Sequence, residues 1–223
     1  MYDLVTGCQS ARRGYIDDMV QAPVDPAADG GTAEPNVREQ LIAVASDHFS
    51  KYGYAKTTLA DLAKEIGFSK TYFYRLFKSK QEIGEAICSQ VLGTIILGIE
   101  AEIAGAGSAS ERLRKMLRTI ASMGVDLFFE DRKLYDIAAV SSSEKWGSSV
   151  RYLGQLEVLL HTILVEGRAA GEFERKTPLD EAVRAIMLAS QPFVDPRALE
   201  YNLDLVPDAT NEVVSLILRS LAP

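Results

Sequence analysis

From Asn36 to the C-terminus, apolar residues recur at three- and four-residue intervals, the spacing that gathers them on one face of an α-helix. Leu59, Leu62, Ala63 and Ile66 draw such a stripe in miniature. The two-residue alternation of a half-buried strand is nowhere sustained, and no period of 20–50 residues repeats. The pattern predicts helices over 36–52, 58–66, 70–77, 80–104, 109–129, 131–143, 148–170, 178–192 and 207–220. The fold class expected is all-α, with short helices first and long ones after.

Polar punctuation agrees with these limits. Asn36 with Glu39, Thr58 with Asp61, Ser79 with Glu82 and Ser108 with Glu111 have the spacing of capping boxes, in which each side chain answers the other residue's free amide. Thr177-Pro178-Leu179-Asp180 reads as a cap, a proline in the first helical position and an early acid. Gly53, Gly67 and Gly171 stand where helices should end. Residues 1–35, rich in Pro, Ala, Gly and Asp from Gln21 onward, read as an unstructured tail carrying Arg12 and Arg13. The expected organisation is tail 1–35, helix-turn-helix domain 36–82 and larger helical domain 83–223.

Composition changes this picture only when charge is taken by segment. The chain of 223 residues has a net charge of −7 and is 47% hydrophobic, as an ordinary globular protein is. Residues 37–80 alone carry +4, which leaves −11 on the remainder. A basic module on an acidic body points to a polyanion as partner of the module only. Cys8 and Cys88 make neither a disulfide framework nor a CxxC metal site, and His48 and His161 lack metal-ligand spacing. The longest apolar run, Val91 to Ile99, is short for a membrane helix, and the N-terminus has no signal-peptide pattern. The expectation is a cytoplasmic protein with no membrane association, metal or cofactor.

The segment Gly67 to Lys80, GFSKTYFYRLFKSK, crowds aromatic and basic residues together. It follows a short helix and the break Gly67-Phe68-Ser69, the layout of a helix-turn-helix, with Ser69 placed to cap the second helix. At about 100° per residue, Phe73 and Leu76 fall on one side, with Tyr72 and Phe77 at its edges. Lys70, Thr71, Tyr74 and Arg75 fall on the other. Such a helix fits a major groove: Lys70, Thr71 and Arg75 can reach base edges, and Tyr74 can bond a phosphate. Lys80, and Thr57 and Thr58 at the start of the preceding helix, are placed for neighbouring phosphates.

Residues 37–88 resemble the N-terminal domain of the TetR/AcrR family of bacterial transcriptional regulators. The resemblance lies in the order and spacing of Ala45, Phe49, Gly53, Thr57-Thr58, Ile66-Gly67, Ser69, Tyr74, Phe77 and Ser79-Lys80. It implies base or phosphate contacts by Lys70, Thr71, Tyr72 and Arg75, and phosphate contacts by Thr58, Tyr74 and Lys80. Thr71 stands where the family often has glycine or alanine, and Arg75 where histidine or tryptophan is common, which implies a different preferred operator. The resemblance further implies a homodimer on a palindromic double-stranded DNA operator, acting as a repressor released by a small-molecule effector bound in the C-terminal domain. The alternative is a helical interaction protein whose degenerate helix-turn-helix contacts other proteins.

In the body, Leu179 to Met187 and the last helix, with Val213, Val214, Leu216, Ile217 and Leu221, are apolar enough to build a dimer face. Met123, Phe128, Tyr135, Trp146, His161 and Phe193 are candidates for lining an effector pocket among the central helices. No enzyme is expected: Ser142 to Lys145 matches SxxK by letter without its companion motifs, and no Gly-rich phosphate loop occurs.

Overall fold

The computed structural model describes residues 33–223, except Phe68 and the side chains of 33–36, Ile66 and Lys70. The expectations for the tail 1–32, Arg12, Arg13 and Cys8 included, lie outside the described residues. Arg38–Pro223 form one compact unit. All regular structure among the described residues is helical: α1 (Ala33–Tyr52), α2 (Leu59–Ile66), α3 (Lys70–Leu76), α4 (Lys80–Ala104), α5 (Ala109–Glu130) and α6 (Arg132–Ser143). Then come α7 (Gly147–Ala169), α8 (Leu179–Ala189), the short α9 (Gln191–Val194) and α10 (Pro196–Glu200), a 3₁₀ turn at Leu203–Leu205, and α11 (Asp208–Ser220).

Most boundaries fall within one residue of the pattern, and three helix ends differ from it in extent or capping. α1 begins at Ala33, so Asn36 lies inside it. Pro35 is tolerated there because a first-turn amide has no intrahelical acceptor to lose. α8 starts after Pro178, which stands at the N-cap and has no side chain able to accept a helix amide; the Thr177 amide donates to the Glu174 carboxylate. The expected helix 178–192 breaks at Ser190, two residues before Pro192, which can neither donate nor clear the carbonyl behind it. Gly53, Gly67 and Gly171 do take left-handed φ of 86°, 76° and 77° at helix ends, where a Cβ would be strained.

α4 organises the body. Ile83, Ile87, Ile95 and Ile99 form one buried row and Cys88, Leu92 and Ile96 a second, a face too broad for one partner. It is wrapped by α5, α6 and α7, while Leu97 stays 67% exposed on the far side. By length and composition, α4 is the one helix among the described residues able to cross a membrane. A core helix passes the same test, and the apolar positions of α4 are taken up by the helices around it. α8 packs on α7, and α11 on α5. Val214, Ile217 and Leu221, assigned by pattern to a dimer face, are buried within the protomer, and Leu216 is left 62% exposed.

Candidate DNA interface and effector cavity

The helix-turn-helix assembles from local signals first. The Thr58 hydroxyl oxygen accepts from the Asp61 amide at 3.2 Å, and the Asp61 carboxylate accepts from the Thr58 amide at 2.8 Å, a closed capping box. Hydrogen bonds from Thr58, first its side chain and then its amide, hold the Asp61 carboxyl below its ordinary range. α2 ends on Gly67, and the Ser69 hydroxyl then accepts from the Tyr72 amide at 3.3 Å to start α3.

Packing fixes which face of α3 turns outward. Phe73 and Phe77 are fully buried, their ring centroids 5.4 Å apart, against a core that includes Leu62 and Phe49. Each such burial stabilises by about 1.5–3 kcal/mol, enough to prevent the helix from rolling over. The guanidinium of Arg38 sits 5.0 Å from the Phe77 centroid and donates to Glu82 at 2.9 Å, tying α1 to the start of α4. Thr71, Tyr74, Arg75 and Lys78 are exposed on the opposite face, Tyr74 by 49%. Tyr72 is half-buried, with the Arg75 guanidinium 4.8 Å from its ring centroid. Lys70 opens the helix.

The remaining candidates divide. Ser69 and Thr58 are exposed at helix starts, though both hydroxyl oxygens already accept cap bonds and the Thr58 hydroxyl donates to Asp61 at 2.6 Å. Thr57 departs from expectation: it is 2% exposed, and its hydroxyl donates to the Gly53 carbonyl at 2.9 Å. That bond closes the α1–α2 loop and occupies the hydroxyl proton. Lys80 is half-buried, its ammonium donating to the Tyr54 carbonyl at 2.9 Å and lying 4.3 Å from the Tyr54 ring centroid.

Tyr54 is also where the reading head meets the body. Its ring lies edge-on to Trp146 at 5.5 Å, and both rings close on Gly84 of α4. Burial, then the nearby Glu144 and Glu85 carboxylates, push the Tyr54 phenol up to about 12. Trp146 is 2% exposed and donates from Nε1 to Glu144 at 2.8 Å, so its polar group is satisfied at this junction. A second tie runs from the Ser50 hydroxyl to Asp131 at 2.8 Å, the residue that caps α6.

Between α4, α5, α6, α7 and α8 lies a cavity of about 640 Å³, within the range of small-molecule sites. Of the six pocket candidates, Tyr135, His161 and Phe193 line it. Met123, Phe128 and Trp146 do not. Met123 packs its sulfur against Gly98, where α4 and α5 touch, and Phe128 stacks edge-on to Tyr135 beneath the Arg132 guanidinium. Sequence reasoning passed over Leu92, Ile95, Ser149 and Tyr152, which form much of the inner wall. The missed signal was the stripe Ser149-Tyr152-Leu156, which puts hydroxyls on a face that is otherwise apolar. Among the described residues, no group of three or more His, Cys, Asp or Glu is arranged to hold a metal.

Two family models match. Residues 41–87 match that of bacterial regulatory proteins of the tetR family, and residues 109–214 that of tetracyclin repressor-like C-terminal domains. Among curated relatives, the chain is 35% identical over 71 residues to the uncharacterized HTH-type transcriptional regulator YerO of Bacillus subtilis, covering 30% of this chain and 25% of that protein. It is 32% identical over 84 residues to the nucleoid occlusion factor SlmA of Haemophilus influenzae, covering 37% of this chain and 38% of that one. Both matches span less than two thirds of the relatives' own length. Among solved structures, the regulator FadR of Bacillus subtilis, in complex with stearoyl-CoA, superposes with a TM-score of 0.61 at 22% identity, over 82% of this chain and 98% of the other. A TetR/AcrR regulator of Thermobifida fusca does so at 0.58 and 23%, over 82% and 97%. With both halves matched in chain order, and with α3 presenting a polar, basic face, the chain belongs to the TetR/AcrR family of DNA-binding transcriptional regulators.

Proposed function

We propose that this protein is a ligand-responsive repressor that binds a palindromic operator as a homodimer in the cytoplasm and is released by a small molecule in the 640 Å³ cavity. The division of labour is the expected one, with 36–82 reading DNA and 83–223 binding effector and partner. The observation that carries the reading is the face of α3. Thr71, Tyr74 and Arg75 are exposed on the side opposite a core locked by Phe73 and Phe77, the face a groove would receive. Arg75 offers a fork for guanine or a phosphate, Thr71 a base-edge contact, and Tyr74 a phosphate bond. An exposed row on α7, Val150, Val158 and Val165 at 58%, 66% and 43%, supports self-association through that helix.

For the effector to act, it must bind one separation of the two reading heads better than the other. α6 is suited to report its presence. It lines the cavity with Tyr135 and Ser142, is tied to α1 through Asp131, and leads at its end to Trp146 against Tyr54. Selecting DNA from a random pool with the full-length protein tests the reading. The expected product is an inverted repeat with half-sites about one turn, roughly 34–36 Å, apart or slightly more, bound with an affinity that falls steeply as salt rises. A monomer by light scattering, or binding indifferent to salt, would refute it and favour a protein-contact role for the module.

A further inference from the structure

Resting on the reading of the cavity as the effector site, we propose that its ligand is a neutral, largely apolar molecule carrying a hydrogen-bond acceptor that meets the Tyr152 hydroxyl, and that anions are rejected. The inner wall is hydrocarbon: Leu92, Ile95, Ile120, Phe193 and Leu199 are each buried. Of the hydroxyls on that wall, most are already committed. Tyr135 donates to the Pro196 carbonyl, Ser142 donates to Asp195 at 3.1 Å, and Ser149 shares a hydrogen bond with Ser141. Tyr152 is 6% exposed, and its hydroxyl makes no hydrogen bond among the described residues. Burial pushes its phenol well above the ordinary tyrosine range, so at neutral pH it remains an O–H donor. The hydroxyl keeps accessible surface at the cavity, so a ligand that supplies an acceptor takes the place of water there.

Charge at the mouth sets the other half of the specificity. The opening runs between one row on α7, Leu153-Glu157-His161, and one on α8, Asp180-Arg184-Leu188. Arg184, the one Lys or Arg among the lining residues, has its guanidinium 3.6 Å from the Asp180 carboxylate. Asp195 is answered by Arg197 at 3.1 Å and by Ser142. Glu157 remains. A carboxylate or phosphate entering here meets Glu157 at the rim and hydrocarbon beyond it, and the one Lys or Arg lining the cavity already faces Asp180. A cationic head gains at the rim but offers Tyr152 no acceptor.

Isothermal titration of the full-length protein with three probes sharing one saturated chain of about ten carbons separates these chemistries: a methyl ketone, a carboxylate and a primary amine. The ketone should bind saturably at one site per protomer, and the other two at least about tenfold more weakly. Tyr152→Phe should weaken the ketone about fivefold, the worth of one neutral hydrogen bond, without lowering Tm. Asp180→Asn, which frees Arg184, should strengthen the carboxylate. A carboxylate or amine that binds as tightly as the ketone, no ketone binding, or an unchanged ketone affinity in Tyr152→Phe would overturn the proposal. A parallel DNA-binding assay keeps the two readings apart. Ketone binding that leaves operator affinity unchanged would sink the effector role alone, whereas operator release by the carboxylate in preference to the ketone would sink the ligand class alone.

Discussion

Gly84→Ala tests whether the Tyr54–Trp146 junction is as tightly built as its geometry states. A Cβ at position 84 would stand 2.9 Å from Tyr54 Cε2 and 3.0 and 3.1 Å from two carbons of the Trp146 benzo ring. Carbon atoms in contact prefer about 3.5–4.0 Å, so both rings would have to retreat by roughly half an ångström. Neither is free to do so. Tyr54 is held through its carbonyl and ring by Lys80, and Trp146 by its bond to Glu144 and its 2% exposure. Overpacking of this kind costs about 1–3 kcal/mol. For a chain of this length each kcal/mol lowers Tm by about 2–4 °C, so the expected drop is roughly 2–12 °C. Urea and thermal unfolding measure it, and the double variant Gly84→Ala/Trp146→Phe makes the test specific. Phenylalanine withdraws the outer ring, so the double variant should be more stable than the sum of the two single losses predicts, by about 1 kcal/mol. Strict additivity, or an unchanged midpoint in Gly84→Ala alone, would refute the close packing.

Three further outcomes follow from the same geometry. Thr57→Val should lower stability by about 1 kcal/mol, through loss of the bond to the Gly53 carbonyl, and leave operator affinity per folded molecule unchanged; weaker DNA binding at full stability would restore Thr57 to the interface. Tyr74→Phe should leave Tm unchanged, because the ring is 49% exposed, and weaken binding to every operator variant by a similar factor of about 5–10, as titrations across altered operators would show. Glu82→Gln should flatten the acid limb of the stability curve. Burial raises the Glu82 carboxyl, but bonds from the Lys78 amide and Arg38 outweigh it and hold it below its ordinary value. Its contribution is therefore complete above the unfolded-chain pKa and lost as pH falls through the folded one. A wild-type and variant pair with parallel acid denaturation would refute it.

The α-helical class, the limits of α2 to α7 and the outward face of α3 were legible in the chain itself, because each rests on interactions within about four residues. The Thr58–Asp61 box, the φ of 76° at Gly67 and the split of Phe73 from Tyr74 are of this kind. What depended on residues far apart was not legible. Thr57 looked like a phosphate ligand, yet the packing of the helices around it leaves it only 2% exposed. Met123, Phe128 and Trp146 have the character of pocket residues, yet Gly98, Tyr135 and Tyr54 take up their surfaces first. Val214 and Ile217 are apolar enough for an interface, and α5 buries them within the protomer. Local periodicity determines that a face is apolar; only the packing of helices distant in sequence decides whether that face meets core, cavity or solvent, because the apolar driving force carries no direction of its own.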